Sequence, residues 1–513
     1  MELRPYQKEA IKAIKQGWNE HQKELLVLPT GTGKTVVFSQ IAHDESKNGR
    51  VLIMAHRDEL IEQARAKYTS LTGDSTAKEK ASDTCIGSSE RVVVGSVQTM
   101  QRDGRLSKFS HDYFNTIIVD EAHHCLSSGY QKVLKHFPHS KVLGVTATPD
   151  RGDKKDLSKY FDNIAYEYNL KQAIKDGYLC DIKARTIPLE IDMSDVKVRV
   201  GDFEVNQVAE TLQPYLPEIA RNIKEYASDR KTVVFLPLVS IAKEFQAYLE
   251  EQGLEAREVN GESGDRKETL EWFDKAGKGS VLCNAMLLTE GWDCPTVDCV
   301  VILRPTKIRS LYVQMVGRGT RLAKGKDNLL LLDFLWLCQR HNLCRPSHLV
   351  TNNEEDQVRI AKVSDDEEID LLGAESDAVE ARKNALAEAI AKNKRKKGKL
   401  VNPLDFFAET RDIEAMDYEP IFRWEFDEPT EKQLKILGNY GFNTDGVTKG
   451  LACQLISKVI ERSGLATPRQ IRTLSNFGYE NVAEWTFDEA SKRISMIAAA
   501  GWKTYKLPKE YRP

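Results

Sequence analysis

Two short stretches of the chain hold the residue types that phosphate chemistry needs. The first is Leu28-Pro29-Thr30-Gly31-Thr32-Gly33-Lys34-Thr35. Phosphate oxygens are bound by backbone N–H groups, and Gly31 and Gly33 let the backbone curl around them, with Thr30 and Thr32 filling out the loop. Lys34 supplies a point charge for the outer phosphates, and Thr35 a hydroxyl for Mg2+. The strict form of such a loop would place glycine at position 28, where this chain has leucine. The second stretch is Ile118-Val119-Asp120-Glu121-Ala122-His123. Asp120, at the end of an apolar run, can hold Mg2+ through water. Glu121 beside it can take a proton from an attacking water. An acidic pair downstream of a phosphate loop in one lobe is a layout suited to hydrolysis of a nucleoside triphosphate.

These residues need elements to position them. Leu25–Leu28, Val51–Met54, Val92–Val94, Thr116–Val119 and Val142–Val145 are short, unbroken apolar runs. Such runs suit strands buried on both faces. Helical patterns between them, including Val36–Ala42 after the phosphate loop, predict βαβ units and a parallel sheet. The rhythm pauses near Asp192–Gln213. It resumes with Thr232–Leu236, Val281–Cys283, Cys299–Leu303 and Leu329–Leu332, which predict a second α/β lobe.

The chain has 513 residues, a 41% hydrophobic and 29% charged composition, and a net charge of −3. Length suggests three or four domains at roughly 150 residues each. The charge excludes a wholesale basic nucleic-acid binder, so any strand-binding surface must be local. Nine scattered cysteines fit a reducing cytoplasm. The start, MELRPYQKEA, has no apolar signal core, and no apolar run is long enough to span a bilayer. A membrane protein is not expected.

Further segments fall in a recognisable order. Asp120–His123 reads DEAH, Thr146-Ala147-Thr148 follows, and Gln314-Met315-Val316-Gly317-Arg318-Gly319-Thr320-Arg321 lies far downstream. Arg4-Pro5-Tyr6-Gln7, Ala55-His56-Arg57-Asp58-Glu59-Leu60, Gly95-Ser96-Val97-Gln98-Thr99 and Leu288-Thr289-Glu290-Gly291-Trp292-Asp293-Cys294-Pro295 accompany them. Together they resemble the ordered motifs of superfamily 2 DEAH-box helicases over residues 1–335. The approach Leu303-Arg304-Pro305-Thr306 looks most like bacterial RadD-type enzymes, within the group that includes XPB-like and restriction-enzyme motors. RadD-type proteins carry a cysteine-rich C-terminal element that this sequence lacks.

The resemblance implies two tandem RecA-like lobes, at residues 1–183 and 184–350, sharing one site for ATP and Mg2+. It implies that Arg4 and Gln7 recognise adenine, and that Gly291 and Asp293 line the nucleotide from the second lobe. Gln314, Arg318 and Arg321 would reach across from that lobe. A guanidinium stabilises charge on the transferring phosphoryl group only when the cleft is closed, which ties hydrolysis to closure. His123, Thr146 and Thr148 are implied couplers between ATP and strand grip. Arg57, Ser96, Thr99 and Thr289 are implied contacts to strand phosphates. Such contacts position a backbone without reading bases. DNA rather than RNA is the partner that the resemblance implies. An RNA helicase, a nucleotide-gated clamp and the motor subunit of a restriction assembly are the alternatives.

Residues 351–420 are expected to form a charged linker with an exposed helix: Glu354–Glu368 is acidic, Ala374–Lys392 favours helix, and Lys394–Lys397 is a basic knot. Residues 421–513 hold an internal repeat. Thr430-Glu431-Lys432-Gln433-Leu434 aligns with Thr467-Pro468-Arg469-Gln470-Ile471, and Tyr440-Gly441-Phe442 with Phe477-Gly478-Tyr479. Two Thr-capped helical hairpins are predicted, with the ring residues in the core, as a possible docking module for a protein partner. Cys338, His341, Cys344 and His348 cluster, but their spacing suits a packed helix better than a zinc knuckle.

Overall fold

The computed structural model describes the chain except residues 1, 148–155, 194–195, 200–201, 261–264, 286–291, 293, 338–343, 364–367 and 393–400. At 59, 188, 190, 192, 199, 335–337, 386–392, 404, 408 and 413–414 it describes the backbone alone. The chain divides into two compact units, Met1–Ala378 and Val379–Pro513.

The first unit is built on two parallel-rich sheets. One sheet holds β1 (Lys23–Val27), β2 (Val51–Ala55), β3 (Ala77–Glu79), β4 (Val92–Ser96), β5 (Thr116–Asp120), β6 (Lys141–Thr146) and β7 (Asn163–Glu167), in the order β3-β4-β2-β5-β6-β1-β7. All its pairings are parallel. A small antiparallel ribbon, β9 (Val198–Arg199) with β10 (Asp202–Phe203), follows β8 (Asp181–Asp192). The second sheet adds β11 (Thr232–Leu236), β12 (Glu255–Val259), β13 (Ser280–Ala285), β14 (Cys299–Ile302), β15 (Asn328–Leu337) and β16 (Ile369–Asp370) to β8, in the order β12-β13-β11-β14-β15-β8-β16. Every apolar run singled out above is a strand here. The central ones are buried along their length, as Val51–Ala55 and Thr232–Leu236 show. Helices cover both faces, which is why these strands lack polar alternation. This is the tandem RecA-like architecture.

Residues 354–363 and 368–378 depart from the expected linker. Asp356 and Leu371 are fully buried, as is most of Ile360 in the helix Glu354–Val363. β16 pairs antiparallel with β8, the one reversed strand of its sheet. Glu375 meets Lys171 Nζ at 2.8 Å. Isolated apolar residues on a charged background hide this docking from a composition-based reading. The basic knot at 394–397 lies outside the described residues.

The second unit contains the repeat. Helices Glu431–Tyr440, Lys449–Glu461, Pro468–Asn476 and Phe487–Ala499 each start at a threonine, Thr430, Thr448, Thr467 and Thr486, whose hydroxyl accepts a backbone N–H of the first turn. Gly441 and Gly478 take φ +81° and +93°, a conformation open to glycine. Leu437 and Leu474, Phe442 and Tyr479, and Ala452 and Ala490 occupy equivalent buried places. The aromatic-glycine-aromatic turn is therefore core packing. Val401, Phe406 and Phe407 belong to the same core, and Val401 N donates to Gly441 O at 2.8 Å. The module thus begins before residue 421.

Candidate nucleotide site

The phosphate loop leaves β1 and enters the helix Lys34–Glu45. Gly31 and Gly33 stand at φ +88° and +84°, and both are crowded. A Cβ on Gly33 would lie 2.8 Å from Gln7 Nε2, and one on Gly31 would lie 3.0 Å from Arg321 Cγ. The left-handed backbone favours glycine at both positions, and the close side chains of Gln7 and Arg321 would have to shift to admit a Cβ. Thr32 is buried and closes the turn through its hydroxyl on Pro29 O at 2.7 Å. Thr30 packs against Gly317, whose missing Cβ would sit 2.8 Å from it. Thr35 is half-buried in the first turn of the helix.

The helix Pro5–Gly17 clamps this loop. Gln7 Nε2 donates to Thr32 O at 3.1 Å, while Gln7 Oε1 accepts Arg4 N at 3.0 Å. Tyr6 donates its hydroxyl to the same Thr32 carbonyl at 2.5 Å. Its ring stacks on Tyr168 with centroids 4.5 Å apart, and Arg4 lies over Tyr178. Burial pushes the Tyr6 phenol up, so it stays a donor.

Asp120 ends β5, and its Oδ1 accepts the Glu121 N–H at 3.0 Å. Glu121 takes φ +51°, in the left-handed region. Its carboxylate is gripped from two directions: Lys34 Nζ reaches Oε1 at 3.1 Å, and Gln314 Nε2 donates to Oε2 at 3.3 Å. Lys34 comes from the first sheet's lobe and Gln314 from the helix Arg309–Gly317 of the second. His123 Nδ1 approaches Oε2 at 3.5 Å.

The segment after Gln314 is fixed by residues that the sequence reading passed over. Lys326 Nζ donates to Arg321 O at 2.8 Å and also to Gly319 O. Burial pulls its ammonium below the usual lysine range. Cys180 N donates to Thr320 O at 2.8 Å. Arg321 consequently passes over the phosphate loop at Gly31. Arg318 is buried, and its Nη1 donates to Trp292 O within its own lobe at 2.6 Å. A lysine in a polar loop gives no sequence signal of this kind.

From Glu121 a line of contacts runs through the expected coupler His123 to His124, His56 and Gln98, to which the sequence assigned no role. The His123 and His124 rings lie 4.1 Å apart, and His124 meets His56 edge-on at 4.3 Å. His56 O accepts Gln98 Nε2 at 2.7 Å, and Gln98 Oε1 accepts Ser96 Oγ at 2.7 Å. The site is thereby in contact with both segments expected to grip a strand. Ser96 and Thr99 are themselves buried. Thr99 Oγ1 accepts Ala81 N at 3.1 Å, so both hydroxyls serve the local fold. Arg57 is half-buried at the start of the helix Asp58–Thr72, and Thr146 is buried at the end of β6. Thr148, Thr289, Gly291 and Asp293 lie outside the described residues. So do Cys338 and His341. His348 Nδ1 accepts Arg345 N at 3.0 Å, and among the described residues no cluster of metal-ligating side chains occurs.

Residues 1–151 match the family "Type III restriction enzyme, res subunit", and residues 214–323 match "Helicase conserved C-terminal domain". The chain is 33% identical to the "Putative ATP-dependent helicase IRC3" of Saccharomyces cerevisiae, over 71% of this chain and 56% of that one. It thus spans little more than half the length of that relative. It is 24% identical to the "DNA 3'-5' translocase XPB2" of Sulfurisphaera tokodaii, over 64% of this chain and 81% of that one. A solved fragment of a "putative HsdR subunit of a type I restriction enzyme" from Vibrio vulnificus YJ016 superposes with a TM-score of 0.52 at 27% identity, covering 64% of each chain. The ordered motifs, the paired sheets and these likenesses together establish that the chain belongs to the superfamily 2 helicases, among relatives of the XPB and restriction-enzyme type.

Proposed function

We propose that this chain is an ATP-hydrolysing DNA translocase or helicase of the DEAH type, serving repair, recombination or replication restart. One observation carries the reading: the Glu121 carboxylate is held at once by Lys34 and by Gln314, from opposite lobes. A base whose geometry depends on both lobes makes hydrolysis answer to their closure.

In this reading Lys34 and the loop N–H groups hold the phosphates, and Gln7 with Arg4 sits beside the base. Glu121 orients the attacking water and takes its proton. Arg321, and Arg318 once it leaves Trp292 O, stabilise charge on the phosphoryl oxygens. Thr35 and Asp120 would hold Mg2+; a hydroxyl and a carboxylate are the hard donors that ion takes. The ion, when bound, neutralises phosphate charge. The contacts from His123 through His124 and His56 to Gln98 couple that site to the strand-gripping segments. Arg57 contacts strand phosphates. Gly291 and Asp293 line the nucleotide, and Thr146, Thr148 and Thr289 assist the coupling and the grip.

DNA as the strand is supported by the name of the Sulfurisphaera tokodaii relative. The test compares ATPase stimulation by single-stranded DNA, duplex DNA, forked DNA and RNA of equal length. DNA is expected to stimulate more. Equal or greater stimulation by RNA overturns the substrate assignment, and no stimulation by any strand overturns the motor.

A further inference from the structure

The end of the chain carries a pattern that the motor does not use. From Trp502 it reads Trp-Lys-Thr, Tyr-Lys-Leu, Pro-Lys-Glu, Tyr-Arg-Pro: a cation every third position, preceded by an aromatic residue at Trp502, Tyr505 and Tyr511 and by Pro508 at the remaining place. Lys503, Lys506, Lys509 and Arg512 are all exposed, against the single acid Glu510. Trp502 is 53% exposed and Tyr505 64%. In a chain of net charge −3, this is a local cationic surface interleaved with bare rings.

The segment is folded. Leu507 is buried in the module's core, and the Tyr479 hydroxyl donates to Tyr511 O. Two 3₁₀ turns, Thr504–Lys506 and Lys509–Tyr511, match the three-residue period of the pattern. Arg512 keeps one guanidine N–H on Leu507 O at 2.9 Å. Trp502 stands at φ +60°, which a bulky residue rarely adopts. Its indole lies on Phe477, with centroids 5.8 Å apart and planes at 21°. The backbone turns there to end the preceding helix, with Trp502 N donating to Ile497 O at 2.9 Å, and leaves the indole half-exposed on Phe477. Tyr511 differs: Arg493 lies over its ring at 5.1 Å, a contact within the module.

We propose that Trp502–Arg512 is a binding strip for single-stranded nucleic acid, separate from the motor. Lys503, Lys506, Lys509 and Arg512 take backbone phosphates, and Trp502 and Tyr505 stack on bases. Every base has a π-face and every link a phosphate, so the strip is indifferent to sequence. The ligand class rests on the reading of the chain as a nucleic-acid motor.

The test uses the full chain, with labelled oligo(dT), oligo(U) and a duplex, in a salt titration followed by anisotropy. Lys503→Glu/Lys506→Glu/Lys509→Glu should weaken oligo(dT) binding about tenfold or more and make the log–log salt dependence shallower by about 2. Trp502→Gly, which suits the positive φ, and Tyr505→Ala should each weaken it roughly fivefold with the salt slope unchanged. Basal ATPase and melting should match the parent chain in all variants. Unchanged affinity and slope in the charge-reversal variant, with strand-stimulated ATPase intact, overturns the strip and leaves the motor standing. That result would also be seen if an acidic protein were the true ligand. Equal loss on duplex with no effect of Trp502→Gly overturns the single-strand assignment. Absence of both binding and stimulation in the parent chain removes the motor reading and the strip with it.

Discussion

Glu121 holds a backbone conformation that disfavours a side chain by about 1 kcal/mol or more. That turn delivers its carboxylate to Lys34 and Gln314. Glu121→Gln keeps the shape and removes the base. ATP turnover is expected to fall about a hundredfold or more while ATP-dependent strand binding survives. Full turnover in that variant, measured by phosphate release, would take the role of base away from Glu121. Gln314→Ala spares the Lys34 contact and cuts the one from the other lobe, so kcat should drop with little change in KM. A pure KM effect would mean that Gln314 serves ground-state binding only. A different residue makes stability depend on pH. Glu24 is fully buried at the start of β1 and accepts Asn163 Nδ2 at 3.2 Å. Burial, opposed by Asn163 and reinforced by Asp162 and Glu20, pushes its carboxyl up to about 7. The folded chain then keeps a proton that the unfolded chain releases, at pH values from about 4.3 up to about 7. Stability contributed at low pH is therefore lost as pH rises through that window. Glu24→Gln stays neutral, so it should flatten the slope and gain up to about 3 kcal/mol at pH 8. Equal melting shifts at pH 5 and pH 8 would contradict this.

The elements show what a sequence can and cannot reveal. β2, β4, β5, β11, β13 and β14 lie inside their sheets, and burial on both faces writes them as unbroken apolar runs. In the two large sheets the strands without that signature are β3, β7, β12 and β16 at the edges, and β8 beside an edge. β12 reads Glu-Ala-Arg-Glu-Val, so exposed charged residues break the apolar run. The loop glycines, Lys34, Asp120 and Glu121 were legible because each chemistry restricts its residue type. Gln314 and the arginines were legible only through the family pattern, since nothing local says which lobe they face. His56, His124 and Lys326 act through three-dimensional contacts that leave no spacing to read. The repeat's threonines were legible because a cap has a strict local grammar. In Thr467, Oγ1 accepts Gln470 N at 3.3 Å, while Gln470 Oε1 accepts Thr467 N at 2.8 Å. Thr467→Ala should cost the module about 1 kcal/mol. Faster amide exchange across Pro468–Asn476 would register the loss, and unaltered exchange would show that tertiary packing alone holds that helix.

At the scale of the whole molecule, the charged stretch after the second lobe divides its service. Residues 354–363 and 368–378 fold with the motor: β16 extends the sheet at β8, Ile360 and Leu371 are buried, and Glu375 pairs with Lys171. Residues from Val401 onward fold with the helical repeats, so a cut at 421 would strip Val401, Phe406 and Phe407 of their partners. Two truncations separate these roles. A chain ending at residue 392 leaves the motor unit whole, so its basal ATPase should match the full chain. A chain ending at residue 353 leaves β8 without β16 and Lys171 without Glu375. It should melt lower and lose most of its ATPase, because β8 also pairs with β15, whose lobe carries Gln314. If the shorter chain instead kept full activity and stability, residues 354–378 would be an ornament of the fold. If the longer one were folded but inactive, the helical module would be part of the motor itself. The same longer truncation should still be stimulated by saturating DNA, yet require more of it, since the terminal strip has gone and the grip of the two lobes remains.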